Sequence, residues 1–176
     1  LWGFSTENWK RNQKEVTAIF DMLMKHVERF RQEAHQKKIR FIHLGRKDRL
    51  PKSLLESLET LEKETKRYRG FHVVLGLDYG GRDEIARATN RLLKEGKREV
   101  KEEDFGQYLD SAGIPDVDLI IRTSGEQRLS GFMPFQGVYA ELYFSSVHFP
   151  DFGPKELRAA VEEFSRRQRR FGGDRP

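Results

Sequence analysis

Short apolar runs of strand length alternate along this chain with longer segments whose apolar residues return at helical spacing, and that alternation narrows the fold to one class. Residues 1–4, 39–44, 71–77, 118–122 and 141–145 read as strands. Between the first two, Val16, Ile19, Phe20, Leu23, Met24, Val27 and Phe30 mark an amphipathic helix over 13–36, opened by the capping-box pattern Asn12-x-x-Glu15. Leu54, Leu55, Leu58 and Leu61 predict a second helix from Pro51 to about Tyr68. Residues 82–95 predict a third, closed by Gly96, and 102–109 a short fourth. Residues 154–169 predict the last, with Leu157, Ala160, Val161 and Phe164 turned inward. Asp78-Tyr-Gly-Gly81 is expected as a tight turn and 134–139 as a helical turn. Strands alternating with helices predict an α/β fold, a mostly parallel sheet flanked by helices on both faces, in a single domain over 1–176.

A chain of 176 residues can bury a sizeable core. Its 33 basic residues against 28 acidic ones leave a net charge of +5, which favours anionic partners in general. With no cysteine, thiolate metal sites, disulfides and a cysteine nucleophile are excluded. No apolar stretch approaches the roughly 20 residues of a membrane-spanning helix. The opening Leu1-Trp2-Gly3-Phe4, without an initiator Met, reads as the tail of a strand whose upstream part is missing.

The polar residues best suited to binding chemistry lie between Asp118 and Phe144. Arg122 falls where an apolar strand gives way to a loop, and Arg128 and Ser130 follow the Gly125 turn. Guanidinium groups present forked donors matched to phosphate oxygens, and two of them six residues apart across a turn can grip one diphosphate. The competing reading pairs Arg122 with Glu126 and Arg128 with Glu141 as structural ion pairs. In open parallel sheets ligands bind beyond the carboxyl ends of the strands, which singles out residues 5–11, 45–48, 78–82 and 122–130.

Phe4-Ser-Thr-Glu-Asn-Trp-Lys-Arg11, Tyr79-Gly-Gly-Arg82, Ile121-Arg-Thr-Ser-Gly-Glu-Gln-Arg-Leu-Ser-Gly-Phe132, Tyr139-Ala-Glu-Leu-Tyr-Phe144 and Arg169-Arg-Phe-Gly-Gly173 occur in that order. Together they resemble the cis-prenyltransferases of the undecaprenyl diphosphate synthase type, over essentially the whole chain. The resemblance implies a homodimeric enzyme that adds isopentenyl diphosphate to an allylic diphosphate such as farnesyl diphosphate, with Mg²⁺ and new double bonds in the cis configuration. It implies catalytic roles for Ser5 and Asn8 in a loop closing over the site, and substrate contacts from Trp9, Arg11, Arg122, Arg128 and Ser130. It further implies Glu141 as magnesium ligand, and Arg170 and Gly172 reaching phosphates across the dimer interface. Apolar positions such as Ile42, Leu44, Val73, Leu75 and Leu77 line, in that family, a tunnel for the growing chain, with Gly3 and Trp2 affecting its shape. A cytoplasmic enzyme with peripheral membrane contact suits a long lipid product.

Structural readings stand beside these. Asn8 makes a local turn bond, Trp9 staples a hinge, and Arg170-Phe-Gly172 caps a basic helix end. The basic run Arg166-Arg-Gln-Arg-Arg170 lacks any nucleic-acid recognition motif, so no nucleic-acid partner is expected. The family's upstream Asp-Gly-Asn-Gly-Arg-Trp loop, with its central aspartate, is not among these residues, so the chain alone is expected to turn over poorly. Arg46 stands after Gly45 where an acidic residue is common. If Glu141 opens a parallel strand, it lies at the edge opposite Arg122 and needs a second subunit. The alternative function is a non-catalytic binding subunit of such an enzyme.

Overall fold

The computed structural model describes residues 1–170 and 173. It forms two compact units, Leu1–Ala112 and Gly113–Pro176.

In the first unit, strands β1 (Trp2–Ser5), β2 (Arg40–Leu44) and β3 (His72–Tyr79) pair in parallel in the order β1-β3-β2. Helices α1 (Gln13–Gln36), α2 (Lys52–Thr65) and α3 (Gly81–Lys94) connect or follow them, and a short α4 (Glu102–Phe105) comes next. Parallel strands cannot be joined by hairpins, so each connection must climb back along the sheet, and the helical periodicity supplies the climbing segments. α1 begins and ends where expected, its Asn12 Oδ1 accepting from the Lys14 N–H at 2.9 Å. Its buried stripe of Val16, Phe20, Val27 and Ala34 packs with Leu54, Leu58 and Leu61 of α2 and with Phe4, Phe41 and Leu77 of the strands. Truncating Leu58, which is fully buried, to Ala is expected to cost about 2–5 kcal/mol in urea unfolding, since the side chain is lost and a cavity is left.

The exposed edge of β2 is protected by side chains of α2. The Phe41 and His43 N–H groups, which point away from β3, donate to Thr65 Oγ1 at 3.0 Å and Glu62 Oε1 at 2.8 Å. Two side chains thus occupy donors that would otherwise invite another strand.

β3 runs further than its apolar residues suggest. The expected turn at Asp78 is strand, because β1 continues alongside and Ser5 pairs with Tyr79. Two register shifts accommodate this, and Asp78 takes up a left-handed φ of 49° within the second. β2 ends at Gly45, whose φ is 119° and where a Cβ would stand 2.2 Å from the Leu77 carbonyl oxygen, so any side chain would collide with β3.

In the second unit, β4 (Leu119–Arg122) and β5 (Glu141–Phe144) pair in parallel, with α5 (Pro154–Arg166) packed on β5. The segment 134–139, expected as a helical turn, forms turns without regular helix. α5 stops three residues short of the expected Arg169, since Arg167 adopts extended angles and folds its guanidinium back onto Glu141 and the Leu142 carbonyl oxygen, each at 2.9 Å. Ala160 is fully buried and Phe164 half-buried, but Leu157 and Val161 are about half exposed, which corrects their inward assignment. Ala160 alone fills the tight contact, and the larger residues beside it are left at the surface. No helix among the described residues is long and apolar enough to cross a membrane.

His43 makes the first unit sensitive to acid. Its imidazole is buried, with Nε2 3.0 Å from the Leu77 carbonyl oxygen, while Nδ1 has no partner among the described residues. Burial holds its pKa below the ordinary histidine value, against the smaller upward pull of the Leu77 carbonyl and Glu62. The unfolded chain therefore takes up the proton first. The stabilisation is fully present above the unfolded value of about 6.5 and is lost as pH falls from there towards the depressed folded value. The urea midpoint is expected to drop between about pH 7 and 5, and His43→Leu to flatten that dependence; parallel pH profiles would contradict it.

Candidate functional site

Parallel pairing sends the carboxyl ends of β1, β2 and β3 to one edge of the first unit's sheet, so three loops lie there together. Ser5 ends β1, and its N–H donates to Asn8 Oδ1 at 2.8 Å, closing the 3-10 turn Thr6–Lys10. The local turn bond expected of Asn8 is thus present. Its amide nitrogen has no partner among the described residues and remains available as a donor. The Arg11 N–H donates to the Asn8 carbonyl at 3.0 Å, while its guanidinium pairs with Glu15 one helical turn on. That exposed pair is weak and competes poorly with a stronger anion.

Trp9 is held on several sides. Its ring lies 5.3 Å edge-on from Phe4 and 5.4 Å from Phe20, and its Nε1 donates to Asp78 Oδ1 at 2.8 Å. The Asp78 carboxylate, fully buried, also accepts from Arg49 Nε at 2.8 Å and from Arg49 Nη2. The sequence placed Asp78 in one of the loops at the carboxyl edge but read it as a turn residue, and Arg49 read as part of a solvated loop, so their pairing did not stand out.

The unusual Arg46 brings no unbalanced charge. Its guanidinium forks onto Asp48 at 3.0 and 2.6 Å and reaches Asp83 at 3.2 Å. The Asp48 hydrogen bond is the main reason its pKa lies above the ordinary arginine value. Asp83 in turn receives Arg87 at 2.7 Å, and Arg87 forks onto Asp110 at 2.7 and 2.5 Å. Gly80, at the start of α3, lies so close to Thr6 that a Cβ there would stand 2.3 Å from its hydroxyl oxygen.

Of the strand positions expected to line a tunnel, Leu44 and Leu77 are closed in the core. Ile42, Val73 and Leu75 are half-buried. Gly3 sits against this group, a Cβ there meeting Leu77, Leu75 and Leu23 at 2.9, 3.5 and 3.7 Å.

In the second unit Arg122 ends β4, and its carbonyl accepts the Ser145 N–H at 2.8 Å. The loop beyond is tied to the segment after β5, with Ser124 N–H to the Val147 carbonyl and Gly125 N–H to the Ser145 carbonyl, both at 2.8 Å. Ser124, Ser130 and Met133 take left-handed φ values of 70°, 52° and 45°. Three such non-glycine residues within ten positions are costly, and backbone strain of this kind gathers at ligand clamps. The Arg122 guanidinium forms no ion pair among the described residues. Arg128 is exposed and pairs with Glu126 in its own loop.

Neither expected ion pair, Arg122–Glu126 or Arg128–Glu141, forms; Glu126 pairs with Arg128 and Glu141 with Arg167. Glu141 begins β5 opposite Leu119, whereas Arg122 lies opposite Phe144. Three residues at about 3.3 Å each separate the two along the strands, so Glu141 stands some 10 Å from the clamp. Arg167 occupies it at 2.9 Å, and Arg169 pairs with Asp118 at the same end of the sheet, at 2.5 Å. Arg170 is exposed; Gly172 lies outside the described residues. No cluster of three or more His, Cys, Asp or Glu suited to a metal is present among the described residues.

Comparison with known proteins places this arrangement. Residues 1–172 match the family model described as "Putative undecaprenyl diphosphate synthase". An isoprenyl transferase of Fusobacterium nucleatum is 44% identical over 173 residues, covering 98% of this chain and 75% of that protein. The crystal structure of a "probable undecaprenyl diphosphate synthase" from Campylobacter jejuni superposes with a TM-score of 0.90 at 37% identity, over 98% of this chain and 81% of that one. Lavandulyl diphosphate synthase from Lavandula x intermedia, solved with dimethylallyl diphosphate, gives a TM-score of 0.92 at 32% identity, over 97% and 77%. The chain belongs to the undecaprenyl diphosphate synthase family of prenyltransferases.

Proposed function

We propose that the protein condenses isopentenyl diphosphate with an allylic diphosphate and forms the new double bond in the cis configuration, building a polyprenyl diphosphate. The observation that carries the reading is the strained loop after β4, which displays Arg122, without an ion pair among the described residues, and a weakly paired Arg128 in a member of this family. Opening an exposed pair such as Arg128–Glu126 costs at most about 1 kcal/mol, while each charge-assisted bond to a phosphate returns roughly 1.5–3 kcal/mol. A diphosphate therefore displaces Glu126. Ser130 adds a hydroxyl donor to the same anion, and Arg11 leaves Glu15 on the same terms.

During the reaction the C–O bond of the allylic diphosphate breaks, the isopentenyl double bond attacks the allylic carbon, and a proton leaves the new chain. Arg122, Arg128 and Ser130 hold the isopentenyl diphosphate in place, while negative charge grows on the departing allylic diphosphate, where any cationic group lowers the barrier. Asn8, whose amide nitrogen has no partner among the described residues, and Ser5 set the two substrates against each other, and Trp9 closes the loop over them. Mg²⁺ would supply further charge to the diphosphates. A single carboxylate suits this ion, which keeps waters and takes substrate phosphates as its other ligands. Glu141 would hold it, because a carboxylate has about four acceptor positions and Arg167 uses one.

Glu141 opens β5 at the end of the strand pair opposite Arg122, which supports a site that takes its Glu141 from a second copy, with Arg170 and Gly172 alongside. Leu157 and Val161, one turn apart on α5, and Phe144 on β5 are exposed apolar residues that support a homodimer. The polyprenyl product suits peripheral contact with a membrane surface in the cytoplasm.

The deciding assay supplies isopentenyl diphosphate, farnesyl diphosphate and Mg²⁺ to protein expressed from the complete coding sequence. A cis-polyprenyl product is expected, and its absence would leave only a non-catalytic binding subunit. Arg128→Ala is expected to raise the KM for isopentenyl diphosphate about tenfold or more, and unchanged kinetics would remove its assigned role. At isopentenyl diphosphate far below the raised KM, where Arg128→Ala turns over little, mixing it with Glu141→Gln protein is expected to recover roughly a quarter of wild-type activity, because each mixed dimer holds one intact site. No recovery would place Glu141 in the same subunit as its clamp.

A further inference from the structure

We propose that Asp78 is a positioning residue: its buried carboxylate, gripped by Arg49, fixes the Trp9 indole and with it the Thr6–Lys10 turn that presents Asn8. The inference rests on the function proposed above. Two unfavourable features coincide at Asp78. Its φ of 49° lies in the left-handed region, and its carboxylate is fully buried at the end of β3. Neither is tolerated for packing alone, since a strained conformation and a desolvated charge each carry a penalty unless neighbours repay it. Both serve one geometry. Oδ1 receives the Trp9 indole N–H at 2.8 Å and Oδ2 receives Arg49 Nε at 2.8 Å, with Arg49 Nη2 closing the fork on Oδ1.

Arg49 acts on the indole a second time, its guanidinium carbon lying 5.6 Å from the ring centroid. Packing does not hold this ring by itself. Trp9 is only half-buried, and with Arg49, Phe20, Met24, Leu50 and Leu54 it borders a cleft of about 420 Å³. One side of the indole therefore rests on Phe4 and Phe20, while another borders open space. An indole N–H in such a place is satisfied by water as readily as by protein. A buried carboxylate instead gives it a single position. Asn8, the next residue, is bound at both ends of the same turn, to the Ser5 and Arg11 backbone N–H groups. Trp9 is peptide-linked to Asn8 within that turn, so anchoring its indole to β3 also anchors the backbone that carries Asn8.

Asp78→Asn tests this with little change of shape. An amide still offers an oxygen to Trp9, but its NH2 group meets the Arg49 donors, so the fork opens. Trp2 and Trp9 are the two tryptophans in the chain, so the indole N–H groups give two NMR signals, and Trp9→Phe assigns them. In Asp78→Asn the Trp9 indole N–H is expected to exchange with solvent about tenfold faster while Trp2 stays unchanged. In the complete enzyme kcat is expected to fall about tenfold with the KM for isopentenyl diphosphate within roughly twofold, as befits lost orientation rather than lost binding. Arg49→Gln, at a partly exposed position, should move both readouts in the same direction and decides the matter if Asp78→Asn does not fold. Unchanged indole exchange overturns the inference whatever the activity, as does faster exchange with unaltered kcat in an enzyme that makes product. If wild-type protein makes no polyprenyl product, the proposed function fails, and the exchange measurement still decides whether Asp78 fixes the turn.

Discussion

Parallel strand pairing is the constraint from which the rest follows. A parallel pair cannot be closed by a short hairpin, so every strand must be followed by a segment long enough to return along the sheet. It also gives each sheet two unlike edges. The carboxyl edge of the first unit collects the Ser5, Gly45 and Asp78 loops, and that of the second receives the Arg122 loop. Glu141, which opens β5, falls at the opposite edge beside Asp118. The proposed sharing of the site between two subunits would follow from strand direction and would need no special feature in either loop.

Charge management distinguishes the two kinds of arginine. Arg49 and Arg87 fork onto acids that are wholly or largely buried, and Arg46 and Arg167 each reach one partly buried acid, Asp83 and Glu141, where breaking a pair would leave an uncompensated charge. Arg11 and Arg128 pair only with exposed acids of their own segments, where solvent screens the attraction. The difference sorts structural from exchangeable cations without reference to their place in the sequence. It also disposes of the apparent anomaly at Arg46, whose Asp48 and Asp83 partners keep the loop after β2 close to neutral.

Much of this organisation was legible in the residues, and what was not has a physical reason. α1 was readable to its ends because a capping Asn12 and seven apolar residues at helical spacing agree. The Arg122 to Ser130 loop was readable as a strand-to-loop junction, and so was the awkward position of Glu141. Asp78 was misread as a turn, since a turn residue and a strand residue at a register shift share the same preference for left-handed φ. Ion-pair partners were misassigned because spacing says which residues are near in the chain, whereas Arg167 reaches Glu141 across 26 positions. The outward Leu157 and Val161 were unreadable for a related reason: an apolar stripe announces that something covers it, without saying whether that is the same chain.

At the buried Asp78 charge and backbone geometry act on the same loop. A chain optimised only for stability would place an apolar residue at a fully enclosed position, because replacing a buried ion pair by well-packed carbon is often neutral or favourable. The carboxylate is kept where its two oxygens reach a loop arginine and a loop tryptophan from elements 29 and 69 positions away in the chain. What the charge contributes is therefore direction. It admits one placement of the Trp9 ring among several that the half-open surroundings would otherwise allow, and the backbone of the Thr6–Lys10 turn inherits that choice. If Asn8 aligns the two substrates as proposed, an error of an ångström in its position would matter more than the stability such a pair forgoes.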